Sequence, residues 1–303
     1  MTSGSTVTSA LVIGGAGFIG SHLVERLLAD EVAVDVVDDL SHGSLGNLAD
    51  ARNAAGTLKI HHLDAGSAEC AALIGMRRPD VIYHLAAVPR SRSTGELSRA
   101  FATTMTVVDA ARHHGVAKIV TAIPASAIYG RPASKDVPVK ERPLEPRGVR
   151  GVVARATVDL LEAARDLDAV EFTALALGTV YGPRQRPDGG VVAAFADAAR
   201  SGEAAVIRGD GRQTRDFVFV DDVVDALGRA GVKGSGLVIN VGTGVATPVR
   251  EVWQQVSGAA SPDPVAEPAP IDELLRFAVS PVRARIHLGW APWTDLSDGV
   301  AQL

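Results

Sequence analysis

The sequence predicts an α/β protein built on a doubly wound parallel sheet, with a smaller lobe formed by the C-terminal part of the chain. Three observations predict it. Short apolar, β-rich runs alternate with amphipathic helical stretches through the first two-thirds of the 303 residues. Those runs are apolar at successive positions, as a parallel sheet covered by helices on both faces requires. A glycine-spaced turn joins the first run to the first helical stretch.

Residues 7–13, 32–37, 58–62, 81–85, 117–122 and 172–177 read as strands, and 18–29, 97–114 and 152–166 as helices between them. Strand–helix–strand repetition builds right-handed crossover units. After Tyr181-Gly182-Pro183 the alternation weakens. Residues 191–201 read as a helix, 205–207 and 217–220 as short strands around the turn Gly209-Asp210-Gly211, and 237–241 as a late strand. The prolines of 261–270 mark a surface loop. The expected division is 1–175 for the sheet-bearing domain and 176–303 for most of the lobe, with later segments returning to the first domain.

Hydrophobic residues make up 47% of the chain, enough for a sizeable core, and the formal net charge is −5 with no dense basic run. That balance argues against nucleic acid or an anionic membrane as partner. One cysteine, Cys70, forms no internal disulfide, and no cysteine or histidine spacing suggests a metal. No apolar run is long enough to span a bilayer, and the polar first ten residues do not read as a signal peptide. The expected setting is cytoplasmic.

The turn Gly14-Gly15-Ala16-Gly17-Phe18-Ile19-Gly20 has glycines at every third position. Such spacing permits a tight turn, close backbone approach to a pyrophosphate, and a helix start whose free N–H groups and dipole face an anion. Asp38 follows at the end of the second strand, 18 residues beyond Gly20. A carboxylate there accepts hydrogen bonds from ribose hydroxyls and repels a 2′-phosphate, which favours NAD over NADP.

These motifs, with His84-Leu85-Ala86-Ala87, Val180-Tyr181-Gly182-Pro183-Arg184-Gln185, the long segment from Gly209-Asp210-Gly211 through Gln213, Arg215-Asp216-Phe217 and Asp222-Val223, and Asn240-Val241-Gly242-Thr243-Gly244, resemble the extended short-chain dehydrogenase/reductases, in particular the nucleotide-sugar epimerase/dehydratase family. The likeness runs over nearly the whole chain. It implies a Rossmann fold, NAD as cofactor, a nucleotide-diphosphate sugar as ligand, and a homodimer paired through helices 97–114 and 152–166. In those helices Leu97, Phe101, Val108, Ala111, Val153, Leu160, Leu161 and Ala164 recur at helical spacing. By the same resemblance Gly14, Gly17, Phe18, Ile19, Gly20, Asp38, Asp39, Asp64, Ala65, Leu85, Ala86, Ala87 and Arg155 fall at cofactor positions. Thr179, Val191, Arg208, Gln213 and Arg215 fall at substrate positions, with Arg215 reaching the diphosphate. Thr179 replaces the family's asparagine, and Ala269-Pro270-Ile271-Asp272 replaces a segment carrying a second phosphate-binding arginine.

The family's proton-handling residues are absent. The resemblance places the assisting Ser/Thr at Ala125, the tyrosine base at Gly151 and its lysine at Arg155, and no YxxxK occurs anywhere in the chain. Neither a methyl group nor a hydrogen moves protons, and a guanidinium stays protonated at any working pH. Two readings follow. One is an NAD-dependent nucleotide-sugar enzyme whose acid/base groups have moved, with Tyr129 the first candidate and Lys135, Lys140 and Glu141 behind it. The other is an inactive member that binds NAD, and a nucleotide sugar too, as a partner or regulatory protein.

Overall fold

Seven parallel strands form the central sheet of the computed structural model, which describes residues 7–141, 143–258, 261–270 and 273–303. They are β1 (Ser9–Ile13), β2 (Ala33–Asp38), β3 (Leu58–His62), β4 (Val81–His84), β5 (Lys118–Pro124), β6 (Glu171–Leu177) and, last in the chain, Leu237–Val241. Their spatial order is Leu237–Val241, β6, β5, β4, β1, β2, β3. The order reverses between β4 and β1, so the loops leaving those strands diverge and open a crevice at their carboxyl ends. Ile13 lies opposite both Val37 and His84, which brings the exits of β1, β2 and β4 side by side.

Both faces of the sheet are covered. Val12 packs in one layer with Leu23, Leu27, Val223 and Leu227, while Leu11 and Ile13 pack in the other with Ile74, Val107 and Leu161. Apolar side chains are needed on both sides of each strand, so no polar alternation survives in the sequence. Helix α1 (Phe18–Ala29) and helix Val220–Ala230 pack together on one face.

Helices Thr94–His114 and Gly148–Asp168 pack together on the other, and each begins about a turn before its expected start. For the first the cause is a cap: the Ser93 hydroxyl accepts from Glu96 N at 3.4 Å. Six of the eight apolar positions assigned above to pairing serve the monomer instead. Leu97, Val108, Ala111, Val153, Leu161 and Ala164 are all buried within this chain, since any such helix must first cover its own sheet.

The lobe is fastened to this frame by polar contacts. Asp216 is fully buried and accepts from Thr243 N, Thr243 Oγ1, Gly244 N and Val279 N. Arg184 pairs with Glu25 on α1 at 2.7 Å. The proline-rich stretch corrects one expectation: Val265–Glu267 is a short strand running parallel to Val206–Arg208. All three of its residues are exposed, so backbone pairing alone makes the strand and no burial pattern marks it. Ile271 and Asp272 lie outside the described residues. No helix among the described residues is long and apolar enough to cross a membrane, and no cluster of three or more His, Cys, Asp or Glu could hold a metal.

Candidate cofactor and substrate site

The β1–α1 turn is shaped for a ligand backbone. Gly14 has φ +80°, and a Cβ on Gly20 would stand 2.1 Å from Gly14 O, so only glycine lets helix and turn approach this closely. Gly17 is the N-cap of α1, and the first turn, which includes Phe18, Ile19 and Gly20, carries no acidic residue. Its positive end therefore stays available to an anion. Leu85-Ala86-Ala87 leaves β4 against this turn, with Ala86 N 3.5 Å from where a Gly14 Cβ would be.

Asp38 closes the other side. It is 7% exposed and accepts from Ala16 N at 2.9 Å and Leu40 N at 2.9 Å. Burial pushes its carboxyl above the usual aspartate range, and the two backbone donors oppose that push. Asp39 binds Ser41 through backbone and hydroxyl, and Asp64 accepts from Gly66 N at 2.8 Å, with Ala65 half-buried between them. A dinucleotide's pyrophosphate and ribose fit this cradle: glycine backbone, open helix end and a fixed carboxylate stand in the order such a ligand needs.

His84, next to this edge, is a packed histidine. Its Nε2 lies 3.0 Å from Thr104 Oγ1, its Nδ1 has no partner, and burial lowers its pKa to about 4.

The expected catalytic corner is assembled differently. Ala125 is fully buried in the short helix Ala125–Ile128. A Cβ on Gly151 would lie 2.4 Å from Ala127 O, so no side chain fits there on this backbone. Arg155 turns away to Asp159, at 2.7 and 3.0 Å. Tyr129 is 2% exposed and donates to Asn240 Oδ1 at 2.8 Å, while Glu141 accepts from Asn240 N and faces Arg283. Tyr129 and Glu141 thus join a buried network that braces the last sheet strand, a setting that does not suit proton transfer to a ligand. Lys135 and Lys140 are exposed.

The substrate positions are partly committed to the fold as well. Arg215 donates to Thr214 O and Leu274 O and forms an ion pair with Glu273. Reaching a diphosphate would require breaking that pair. Gln213 Nε2 donates to Arg208 O at 2.7 Å, and Thr179 N to Asp216 O at 2.6 Å. Arg208 is largely exposed and 3.9 Å from Glu267, and Val191 opens helix Val191–Ser201.

Two residues that the motifs did not single out stand between these parts. Arg150 Nε donates to Pro89 O at 3.0 Å, and Arg90 donates to Gly189 O in the turn before helix Val191–Ser201. Loss of hydration pushes Arg150 down to about 10, with Arg90 adding repulsion. Burial also lowers Arg90, and of its two charged neighbours Asp188 opposes that and Arg208 adds to it.

Fold and site together define a dinucleotide-binding α/β protein. The chain belongs to the NAD dependent epimerase/dehydratase family, whose model matches residues 10–242. It is 41% identical to a UDP-glucose 4-epimerase of Mycolicibacterium smegmatis over 96% of both chains. Among solved structures it resembles the Thermotoga maritima UDP-glucose 4-epimerase with UDP-glucose (TM-score 0.89, 31% identity, 96% of each chain). It also resembles the Thermus thermophilus UDP-glucose 4-epimerase in complex with NAD (TM-score 0.87, 30% identity, 97% of each chain).

Proposed function

We propose that this chain is an NAD-dependent enzyme acting on a nucleotide-diphosphate sugar, with its proton moved by groups other than the family's Ser/Thr–Tyr–Lys set. The observation that carries this reading is the retained cofactor edge: Gly14, Gly20 and Asp38 stand where β1, β2 and β4 end together. When bound there, NAD supplies the hydride acceptor. The chain's own part is to cradle the pyrophosphate with the turn through Gly17, Phe18 and Ile19, to hold the ribose on Asp38, and to line the ring side with Leu85, Ala86 and Ala87. Relatives named for UDP-sugar chemistry support the ligand class, and the buried, single Cys70 suits a cytoplasmic setting.

The crowding at Gly151 favours a second reading, in which both ligands bind without turnover. Purified protein with NAD and a panel of UDP- and dTDP-sugars, followed by mass spectrometry of products, separates the two. A product from any of them supports the enzyme, and binding of both ligands with no product supports the second reading.

Homodimerisation belongs to the same proposal. Val149, Val152, Ala156, Leu160, Ala163 and Leu167 recur at steps of three and four on helix Gly148–Asp168. Val152 is 58% and Leu167 82% exposed. An apolar stripe left open at coiled-coil spacing suits a partner helix. Light scattering should give a dimer mass that falls to the monomer in Val152→Glu. A monomer in the unaltered protein would overturn this.

A further inference from the structure

We propose that Arg90 and Arg150 form a subsite for a carboxylate on the sugar, so that the preferred ligand is a nucleotide-diphosphate uronic acid rather than a neutral hexose. This rests on the nucleotide-sugar reading above and adds the charge of the sugar to it.

Four segments meet where these two arginines stand. Arg90 extends the loop that leaves β4 through Leu85-Ala86-Ala87, directly beyond the part that abuts the β1–α1 turn. Arg150 lies in the first turn of helix Gly148–Asp168, one residue before Gly151, whose Cα faces Ala127 O. Arg150 Nε reaches across to Pro89 O, and Arg90 reaches the lobe at Gly189 O. The pair therefore sits between cofactor edge and lobe, beside the corner where the resemblance puts the reacting end of the sugar.

Both guanidinium groups are anchored on one backbone carbonyl each. Among the described residues neither has a carboxylate within ion-pair distance. Arg215, by contrast, is bound to Glu273, and Arg155 to Asp159. Arg90 stands close enough to push Arg150 down, and such an approach of like charges costs free energy unless something anionic lies beside them. The chain as a whole carries a net charge of −5, so this local excess of positive charge runs against the general balance. A planar carboxylate matches the fork of free N–H groups that each arginine still presents. The position favours a carboxylate of the sugar over the diphosphate, because Gly151 and the β4 loop mark the cofactor end of the crevice.

The test is calorimetric titration of the NAD-loaded full chain with UDP-glucuronate, UDP-glucose and UDP. UDP-glucuronate should bind at least about tenfold more tightly than UDP-glucose. Arg150→Gln and Arg90→Gln should each weaken UDP-glucuronate by roughly 10–100-fold, the range for a lost hydrogen bond to a charged group, and leave UDP-glucose within about threefold. Arg150→Lys should recover part of the loss. Unchanged NAD affinity in each variant shows that the fold is intact. Equal affinity for the two sugars, with UDP bound, overturns the subsite and leaves the nucleotide-sugar reading standing. Equal losses for both sugars overturn it by assigning the arginines to the shared diphosphate. If none of the three binds while NAD does, the nucleotide-sugar reading falls and the subsite falls with it.

Discussion

The crevice has two ends built on opposite terms. At the β1 end, Gly14, Gly20 and Asp38 stand where the resemblance puts cofactor positions, and the backbone is shaped around them. At the corner between Ala125–Ile128 and helix Gly148–Asp168, where the resemblance puts the family's proton-handling groups, Ala125, Gly151 and Arg155 stand instead, and Ala127 O lies within 2.4 Å of any Cβ on Gly151. The difference teaches that cofactor cradles rest on backbone geometry, which a folding chain must keep. Proton transfer rests on a few side chains, which can be lost without disturbing the sheet. It also shows that the corner is not an ordinary site with one residue missing. Restoring the tyrosine would require the backbone to move.

The comparison can be broken at either end. The largest effect is expected from Gly20→Ala, which drives a methyl group against Gly14 O. Stability in urea should fall by about 3 kcal/mol or more, as for severe overpacking, and NAD binding should be lost. Gly151→Tyr should cost roughly 1–3 kcal/mol by the same mechanism and yield no family-type turnover. Clean accommodation with activity would show that the corner is merely vacant. Asp38→Ala should narrow the preference for NAD over NADP by roughly tenfold or more, read by titration of both cofactors. Because burial raises the Asp38 carboxyl, that preference in the unaltered protein should begin to fade, as pH drops, above the pH at which an ordinary aspartate takes up its proton.

His84 gives a separate pH signal. Its folded-state pKa of about 4 lies below the unfolded value near ~6.5. The unfolded chain therefore takes the proton first, and stability present above that value should decline as pH falls from there towards 4. His84→Gln should flatten the decline. The smallest effect is expected at Arg155→Ala. Its pair with Asp159 is largely exposed and on one helix, so stability should move by less than about 0.5 kcal/mol. NAD affinity should hold.

The sheet was legible because a doubly covered parallel strand leaves continuous apolar runs: β3 and α1 match their expected bounds, and Val12 and Leu11 enter opposite layers as required. The β1 cradle was legible because glycine and aspartate positions carry geometry in their identities. What could not be read was partnership between charged residues far apart in sequence. Nothing near Arg215 announces Glu273, 58 residues on, and nothing near Tyr129 announces Asn240. Val265–Glu267 was invisible because its pairing involves backbone alone. Arg90 and Arg150 lie 60 residues apart outside every motif, and only the folded chain brings them to one crevice.

The central claim, an intact cofactor edge beside a replaced catalytic corner, is tested most directly in one sample of purified protein. NAD binding is measured by calorimetry, and turnover of UDP-glucose with NAD present is followed by mass spectrometry. Enzymes commonly turn over at ~1–1000 per second, and a missing positioned base removes ~10²–10⁴-fold. The expected result is clear NAD binding with UDP-glucose turnover slower than about 0.1 per second. Absence of NAD binding would contradict the account of the cofactor edge, and turnover of UDP-glucose near one per second or faster would contradict the account of the corner while leaving the enzyme reading standing.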